Sequence, residues 1–230
     1  MCKNKKFMLI LNILFMAAIL AGDILYITLG GLIIKSFTSS LFVLMGVINL
    51  SYVLIFGARK KSFAILMAIG LLFGCLGDIL LEIHFITGAA LFATAHVFYF
   101  AAYCQLSPVK LRDFLFAAII FVPALLIILF VPLFDFGGVL MQVVCCVYAL
   151  IISLMVGKAI SNNISKTSAL NILILIGSVL FFFSDFMLLF NVFANVSSVF
   201  GVLCLITYYP AEFLLALSIS ASKKCNVEKE

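Results

Sequence analysis

The chain of 230 residues is 67% hydrophobic and 10% charged, and its mean hydropathy is +1.38. Soluble domains are only about half apolar, so this composition excludes a soluble protein and is typical of one that lies in a bilayer. The formal net charge of +5 reflects membrane topology, as the loops show, and gives no reason to expect nucleic acid as a partner.

Eight apolar segments are predicted to cross the membrane as helices, because a hydrocarbon core about 30 Å thick needs roughly 17–25 residues. In chain order the predicted spans are 7–29, 37–56, 63–83, 89–104, 114–134, 139–156, 169–190 and 196–219. These runs are too long and too continuously apolar for barrel strands. The first span resembles a signal peptide, but it is too long and lacks a small-residue cleavage site, which predicts a retained helix.

The basic residues between the spans test this count independently. Thirteen of the fourteen fall on one side of the membrane if the N-terminus is inside: Lys3, Lys5, Lys6, Arg59, Lys60, Lys61, Lys110, Arg112, Lys158, Lys166, Lys223, Lys224 and Lys229. Only Lys35 falls on the other side. The positive-inside rule therefore predicts an all-α bundle of eight helices in the cell membrane, with both termini cytoplasmic. The connections are short, so residues 1–230 are expected to form a single domain.

Three spans carry an aspartate in a similar setting. The motifs are "GDILY" around Asp23, "GDILL" around Asp78 and "SDFML" around Asp185. All three helices run outward, and each carboxyl is expected about 8–9 Å below the outer boundary. Since an ionised Asp inside a helix is costly unless it faces the bundle interior, three at one depth predict one pocket. Asp23, however, could also reach the interface beside its helix end.

Other polar residues extend this predicted pocket. Glu82 follows Asp78 by one helical turn, and Lys35 begins the second span. His96 lies in the fourth span with Tyr99 on the same face, although His96 could also be a helix-packing residue. In the eighth span, Pro210 is expected to kink the helix beside its polar neighbours. These neighbours are Tyr208, Tyr209 and Glu212.

Several chemistries are not supported by the sequence. There are two histidines and no cysteine pair with zinc-site spacing, so no metal is expected. Most of the seven cysteines lie in apolar runs and are expected to behave as small hydrophobes. Neither a nucleophile elbow nor a phosphate-binding glycine loop occurs, and no organic cofactor is expected. Buried paired carboxylates suit either acid-catalysed cleavage or proton-coupled transport.

The pattern resembles the YhhN family of multi-span membrane proteins, which includes the animal lysoplasmalogenases. The matching motifs are "GDILL", a following Gly88, "AHVFY" from Ala95, "FFFSDFMLL" and "TYYPAE". Lys35 matches a family lysine, although Ser36 replaces the usual proline. The resemblance extends from about residue 30 to residue 218. Glu212 stands where the family usually has glutamine.

The resemblance implies an enzyme that cleaves the vinyl-ether bond of a lysophospholipid, giving a fatty aldehyde and a glycerophospho-head group. It implies Asp78 and Asp185 as the catalytic pair. Asp78 is expected to be the general acid, because the neighbouring Glu82 disfavours its ionisation, and Asp185 the base. The expected positioning or substrate-binding residues, with Lys35 on the phosphate, are Lys35, His96, Tyr99, Glu82, Ser184, Tyr208, Tyr209, Glu212 and Asp23.

The alternative is a proton-coupled carrier or lipid-binding protein that uses the same buried acids. Two pseudo-symmetric halves and broken helices are typical of carriers. The three aspartates are 55 and then 107 residues apart, which does not suggest equal halves, and this spacing favours the enzyme.

Overall fold

The computed structural model describes residues 2–57, 60–194 and 196–223, with no side chains before Lys6. The described chain contains eight helices, and all are long and apolar enough to cross a membrane. They are α1 (Cys2–Leu29), α2 (Leu32–Phe56), α3 (Lys61–Ile83), α4 (Phe85–Leu106), α5 (Leu111–Phe130), α6 (Val139–Ser165), α7 (Ala169–Phe193) and α8 (Val199–Ala221). Of the basic residues used above, Arg59, Lys224, Lys229 and the side chains of Lys3 and Lys5 lie outside the described part.

Large apolar side chains cover the outside of the bundle. Ile33, Leu111, Val139 and Phe130 are between 73% and 85% exposed. A soluble monomer rarely exposes apolar patches of this extent, whereas a bilayer solvates them. The chain is therefore a multi-pass membrane protein.

Two predicted span ends need correction. The fifth helix ends at Phe130 and not at residue 134, because Pro132 forces Val131 into an extended conformation. The sixth helix continues to Ser165, well beyond the predicted end at residue 156. Lys158 is consequently not a loop residue. It is fully buried in α6, where its Nζ lies 2.8 Å from Oδ2 of Asp113.

The helices form two halves of four, α1–α4 and α5–α8. In the first half α3 packs most extensively on α4, and in the second half α7 does so on α8. Gly70 and Gly177 lie 107 residues apart, as Asp78 and Asp185 do. Each glycine lets a side chain of the following helix approach, Tyr99 for Gly70 and a leucine of α8 for Gly177. The equal spacing of these residue pairs and the similar packing of their helices favour two corresponding halves, which the spacing to Asp23 did not suggest.

The helix contacts that each half makes with the other also correspond, except at one place. α2 packs against α8, and the equivalent α6 packs against α4. α1 and α3 also pack against α8, whereas within the described residues α5 and α7 bring no Cα atom within 8 Å of α4. An apolar space between α4, α5, α6 and α7 results from this difference.

Candidate active site

A polar cavity of about 290 Å³ lies between helices of both halves. The side chains that line it come from six helices. They are Tyr26, Lys35, Asp78, Leu81, Glu82, Phe85, Phe92, Ser184, Asp185, Leu188, Asn191, Val192, Gly201, Cys204, Leu205 and Tyr208. The structure thus places Asp78 and Asp185 on one cavity, together with Lys35 and Glu82.

Asp78 is held by hydroxyl groups. Ser39 of α2 donates a hydrogen bond of 2.5 Å to Oδ2 of Asp78, and Tyr208 of α8 donates one of 2.7 Å to the same oxygen. Asp78 is only 3% exposed, and no described residue donates a hydrogen bond to its Oδ1. One oxygen of this carboxyl is therefore fixed, and the other is free for a ligand in the cavity.

Asp185 has a similar arrangement with different donors. The hydroxyl of Tyr148 donates a hydrogen bond of 2.6 Å to Oδ2 of Asp185, and Nε2 of His96 lies 3.2 Å from that oxygen. Nε2 also lies 2.9 Å from the Tyr148 oxygen. With Asp185 ionised, the hydroxyl proton of Tyr148 is directed to Asp185, and the hydrogen between His96 and Tyr148 then belongs to Nε2.

The two acids are bound reciprocally by the two halves. Asp78 of the first half is held by Ser39 of its own half and by Tyr208 of the second. Asp185 of the second half is held by Tyr148 of its own half and by His96 of the first. The cavity therefore lies at the junction of the repeats, with one acid from each.

An ion pair forms the polar mouth of the cavity. Nζ of Lys35 lies 2.9 Å from Oε1 of Glu82, and the hydroxyl of Tyr26 donates a hydrogen bond of 2.6 Å to the same oxygen. The Lys35 side chain is 7% exposed and that of Glu82 is 42% exposed. The charge of Glu82 is thus compensated by Lys35, which removes the reason given above for assigning the proton to Asp78.

A second, smaller cavity of about 80 Å³ adjoins the polar one. Its lining is apolar apart from the carboxyl of Asp185 and the hydroxyl of Tyr148. The residues common to both cavities are Leu81, Phe85, Phe92, Asp185 and Leu188. Asp185 consequently lies where a polar chamber meets an apolar groove.

Some residues predicted for the site lie elsewhere. Tyr99 donates a hydrogen bond of 2.7 Å to Oε2 of Glu212, and both residues are fully buried outside the lining of the cavity. Tyr209 reaches Ser39 with its hydroxyl at 3.5 Å but does not line the cavity. Asp23 is 3% exposed, and its Oδ1 has no hydrogen-bond partner among the described residues. Ser184 does line the cavity and lies 3.4 Å from the thiol of Cys204.

Three contacting residues were not singled out from the sequence. Ser39 lies one turn after Lys35 on α2, so helical spacing could have indicated it. Tyr148 lies in an apolar run of α6. A single tyrosine hydroxyl at membrane depth needs a hydrogen-bond partner, and this could have indicated its role. Tyr26 belongs to the first aspartate motif. α8 is one continuous helix through Pro210, and the kink expected at this proline stays a prediction.

Comparisons with known proteins agree with the resemblance. The sequence model of the YhhN family matches residues 32–219, which include all of the polar cavity except Tyr26. Searches of curated proteins and of solved structures give no match. The matched segment spans most of the chain and carries both aspartates, and the chain belongs to the YhhN family.

Proposed function

We propose that this protein is a membrane-embedded hydrolase that cleaves the vinyl-ether bond of lysoplasmalogen-type lysophospholipids. The observation that carries the proposal is the pair Asp78 and Asp185 on one cavity, in a member of a family that contains lysoplasmalogenases. A cationic mouth at Lys35 and an apolar groove beyond Asp185 match the two ends of a single-chain lipid. The products are a fatty aldehyde and a glycerophospho-head group.

The bond dictates the chemistry. A vinyl ether hydrolyses by protonation of its β-carbon, which gives an oxocarbenium ion. Water adds to this cation and releases a proton, and the resulting hemiacetal collapses to an aldehyde and an alcohol. One acid must donate the first proton, and an ionised carboxylate must stabilise the cation and accept the proton of the water.

We assign the first proton to Asp78 and the base role to Asp185. Asp78 is buried, whereas Asp185 is only partly buried, and an ion costs more where it is less solvated. Ser39 and Tyr208 fix Oδ2 of Asp78, and Oδ1 then faces the reacting carbon. Tyr148 and His96 likewise orient Asp185 towards the water.

Lys35 is assigned to the phosphate of the head group. It is the cation of the cavity lining, and its contact with Glu82 lies at the half-exposed mouth. A phosphate that enters would exchange with the Glu82 carboxylate for Lys35, since ammonium groups bind both anions. The reacting ether would then lie deeper, between the two aspartates.

Aldehyde release by purified protein in detergent tests the proposal, with a lysoplasmalogen as substrate. Asp78→Asn and Asp185→Asn should each lower kcat by about 10²–10⁴-fold, as expected for loss of a general acid or base. Asp23→Asn is the matched control, because this buried aspartate does not line the cavity, and its loss of activity should be smaller. Activity that survives both of the first two substitutions would overturn the assignment.

The two corresponding halves support a second candidate, a proton-coupled carrier. Transporters with parallel repeats place their binding site between the repeats, and the polar cavity lies there. Against this candidate, each of the eight described helices is unbroken. Uptake of a labelled lysolipid into proteoliposomes without aldehyde release would favour the carrier.

We also propose that both termini are cytoplasmic, because the basic residues gather at one end of the bundle. The polar cavity would then open near the outer face of the cell membrane. Protease protection of a C-terminal tag in right-side-out vesicles tests this orientation. Cleavage of the tag in intact vesicles would contradict it.

A further inference from the structure

The apolar groove is lined mainly by α5, α6 and α7, with further residues from α3 and α4 of the first half. Its lining residues are Leu81, Phe85, Ala89, Phe92, Ala124, Ile128, Val144, Cys145, Tyr148, Ala149, Ile152, Phe182, Asp185, Phe186, Leu188, Leu189 and Phe193. It extends along α6 from Val144 to Ile152 and along α7 from Phe182 to Phe193, which corresponds to about 12 and 16 Å of helix. The groove is therefore elongated along these two helices.

The groove coincides with the place where the two halves of the protein differ. At the equivalent place in the other half, α1 and α3 pack directly against α8. The backbone of α5 comes close to α6 alone among the described helices, and Ala124 and Ile128 of α5 form a small apolar cluster separate from the main core. The opening thus arises from the positions of α5 and α7 relative to α4.

The chemistry of the two cavities indicates their occupant. The groove meets the polar cavity at Asp185, and the cation Lys35 lies in the polar cavity. A ligand that satisfies both must be anionic or zwitterionic at one end and alkyl at the other. A bilayer lipid that only covered the apolar surface would gain nothing from contact with the carboxyl group of Asp185.

We propose that the groove between α4, α5, α6 and α7 is the binding site for the alkyl chain of a single-chain phospholipid. The polar end of this lipid lies in the cavity of Lys35. This inference rests on the proposed function for the identity of the lipid, but the binding itself requires no hydrolysis. We expect a phospholipid with two chains not to bind there, because the groove is small, with a volume of about 80 Å³.

A tryptophan reporter tests the binding, because the chain contains no tryptophan. Phe182→Trp places the reporter in the groove, and Phe183→Trp places it on the adjacent residue, which is 42% exposed on the outside of α7. The probe is a lysophospholipid with a saturated ether chain that carries a doxyl quencher and cannot be cleaved. The two reporters lie at nearly the same depth, so they differ chiefly in the surface they face.

Quenching of Phe182→Trp should saturate, because the probe occupies a defined site. Quenching of Phe183→Trp should instead follow partition of the probe into the bulk lipid or detergent and require a probe concentration about tenfold higher. Ala149→Phe fills the groove and should abolish the saturable component, whereas Leu150→Phe on the lipid-facing surface should leave it intact. An unlabelled diacyl phospholipid should not compete. If Phe182→Trp does not fold, Phe186→Trp serves as the groove reporter.

Equal quenching curves for the two reporters would overturn the inference, as would persistence of the saturable component in Ala149→Phe. Competition by the diacyl lipid would overturn its single-chain part. Saturable binding without aldehyde release from lysoplasmalogen would refute the proposed reaction and leave the groove assignment standing. Aldehyde release without saturable quenching would refute the groove assignment and leave the proposed reaction standing. Failure of the groove assignment and failure of the proposed reaction are therefore distinguishable.

Discussion

Tyr148 donates a hydrogen bond of 2.6 Å to Oδ2 of Asp185, across the junction of the polar cavity and the apolar groove. The same hydroxyl oxygen lies 2.9 Å from Nε2 of His96. Tyr148 therefore fixes the carboxylate and its imidazole partner together, although its neighbours in α6 are apolar.

Tyr148→Phe should lower kcat for aldehyde release about 10- to 100-fold, with a small effect on KM. Loss of a hydrogen bond to a charged group costs about 1.5–3 kcal/mol, and each 1.4 kcal/mol corresponds to tenfold in rate. Tyr103→Phe is the matched control, because Tyr103 makes a buried hydrogen bond of 2.9 Å to Ser178 away from the cavity. Equal losses in the two variants would indicate a structural effect and contradict the role of Tyr148.

Substitutions in the ion pair at the mouth should have opposite effects on KM. Lys35→Gln removes the cation assigned to the phosphate and should raise KM about tenfold, or about 1.4 kcal/mol. Glu82→Gln frees Lys35 for the substrate and should lower KM. The effect is moderate because the pair is half-exposed and partly screened.

Steady-state kinetics with a lysoplasmalogen measures both changes. A 1-alkenylglycerol without phosphate is the control substrate and should be indifferent to Lys35→Gln. If both substitutions raise KM for the phospholipid by similar factors, the exchange of Glu82 for phosphate is wrong.

Glu212 should affect stability through its contact with Tyr99. Glu212→Ala leaves the buried Tyr99 hydroxyl without its acceptor and creates a cavity, so it should lower the free energy of unfolding by about 2–4 kcal/mol. Glu212→Gln keeps an acceptor oxygen for Tyr99 and should cost much less. Chemical unfolding in mixed micelles measures the difference, and equal losses would show that the hydrogen bond is unimportant.

The buried ion pair of Lys158 and Asp113 should behave differently when one partner is removed and when both are. Lys158→Met leaves a buried carboxylate without its cation and should destabilise the protein by about 3–5 kcal/mol. The double variant with Asp113→Leu should be more stable than Lys158→Met alone. A double-mutant cycle of unfolding free energies measures the coupling, and strictly additive losses would contradict it.

The number of helices followed from the sequence because hydropathy and loop charge report the same physical constraint, the cost of polar groups in the bilayer core. The early end of α5 was also readable, since Pro132 follows Val131. The sequence did not reveal that Lys35 pairs with Glu82, because 47 residues separate them and no local pattern links α2 to α3. Tyr148 escaped notice for the same reason, as its partners lie on α4 and α7.

The reciprocal hydrogen bonds of the two aspartates have a consequence for biogenesis. The N-terminal half is made first, and at that stage Asp78 has Ser39 as a partner but lacks Tyr208, while His96 lacks Asp185. When α7 and α8 dock against the earlier helices, Asp78 gains its second donor and Asp185 gains both of its donors. Docking of α7 and α8 therefore completes the hydrogen bonding of both acids in one step. A chain truncated before α7 has Asp78 without Tyr208 and lacks Asp185.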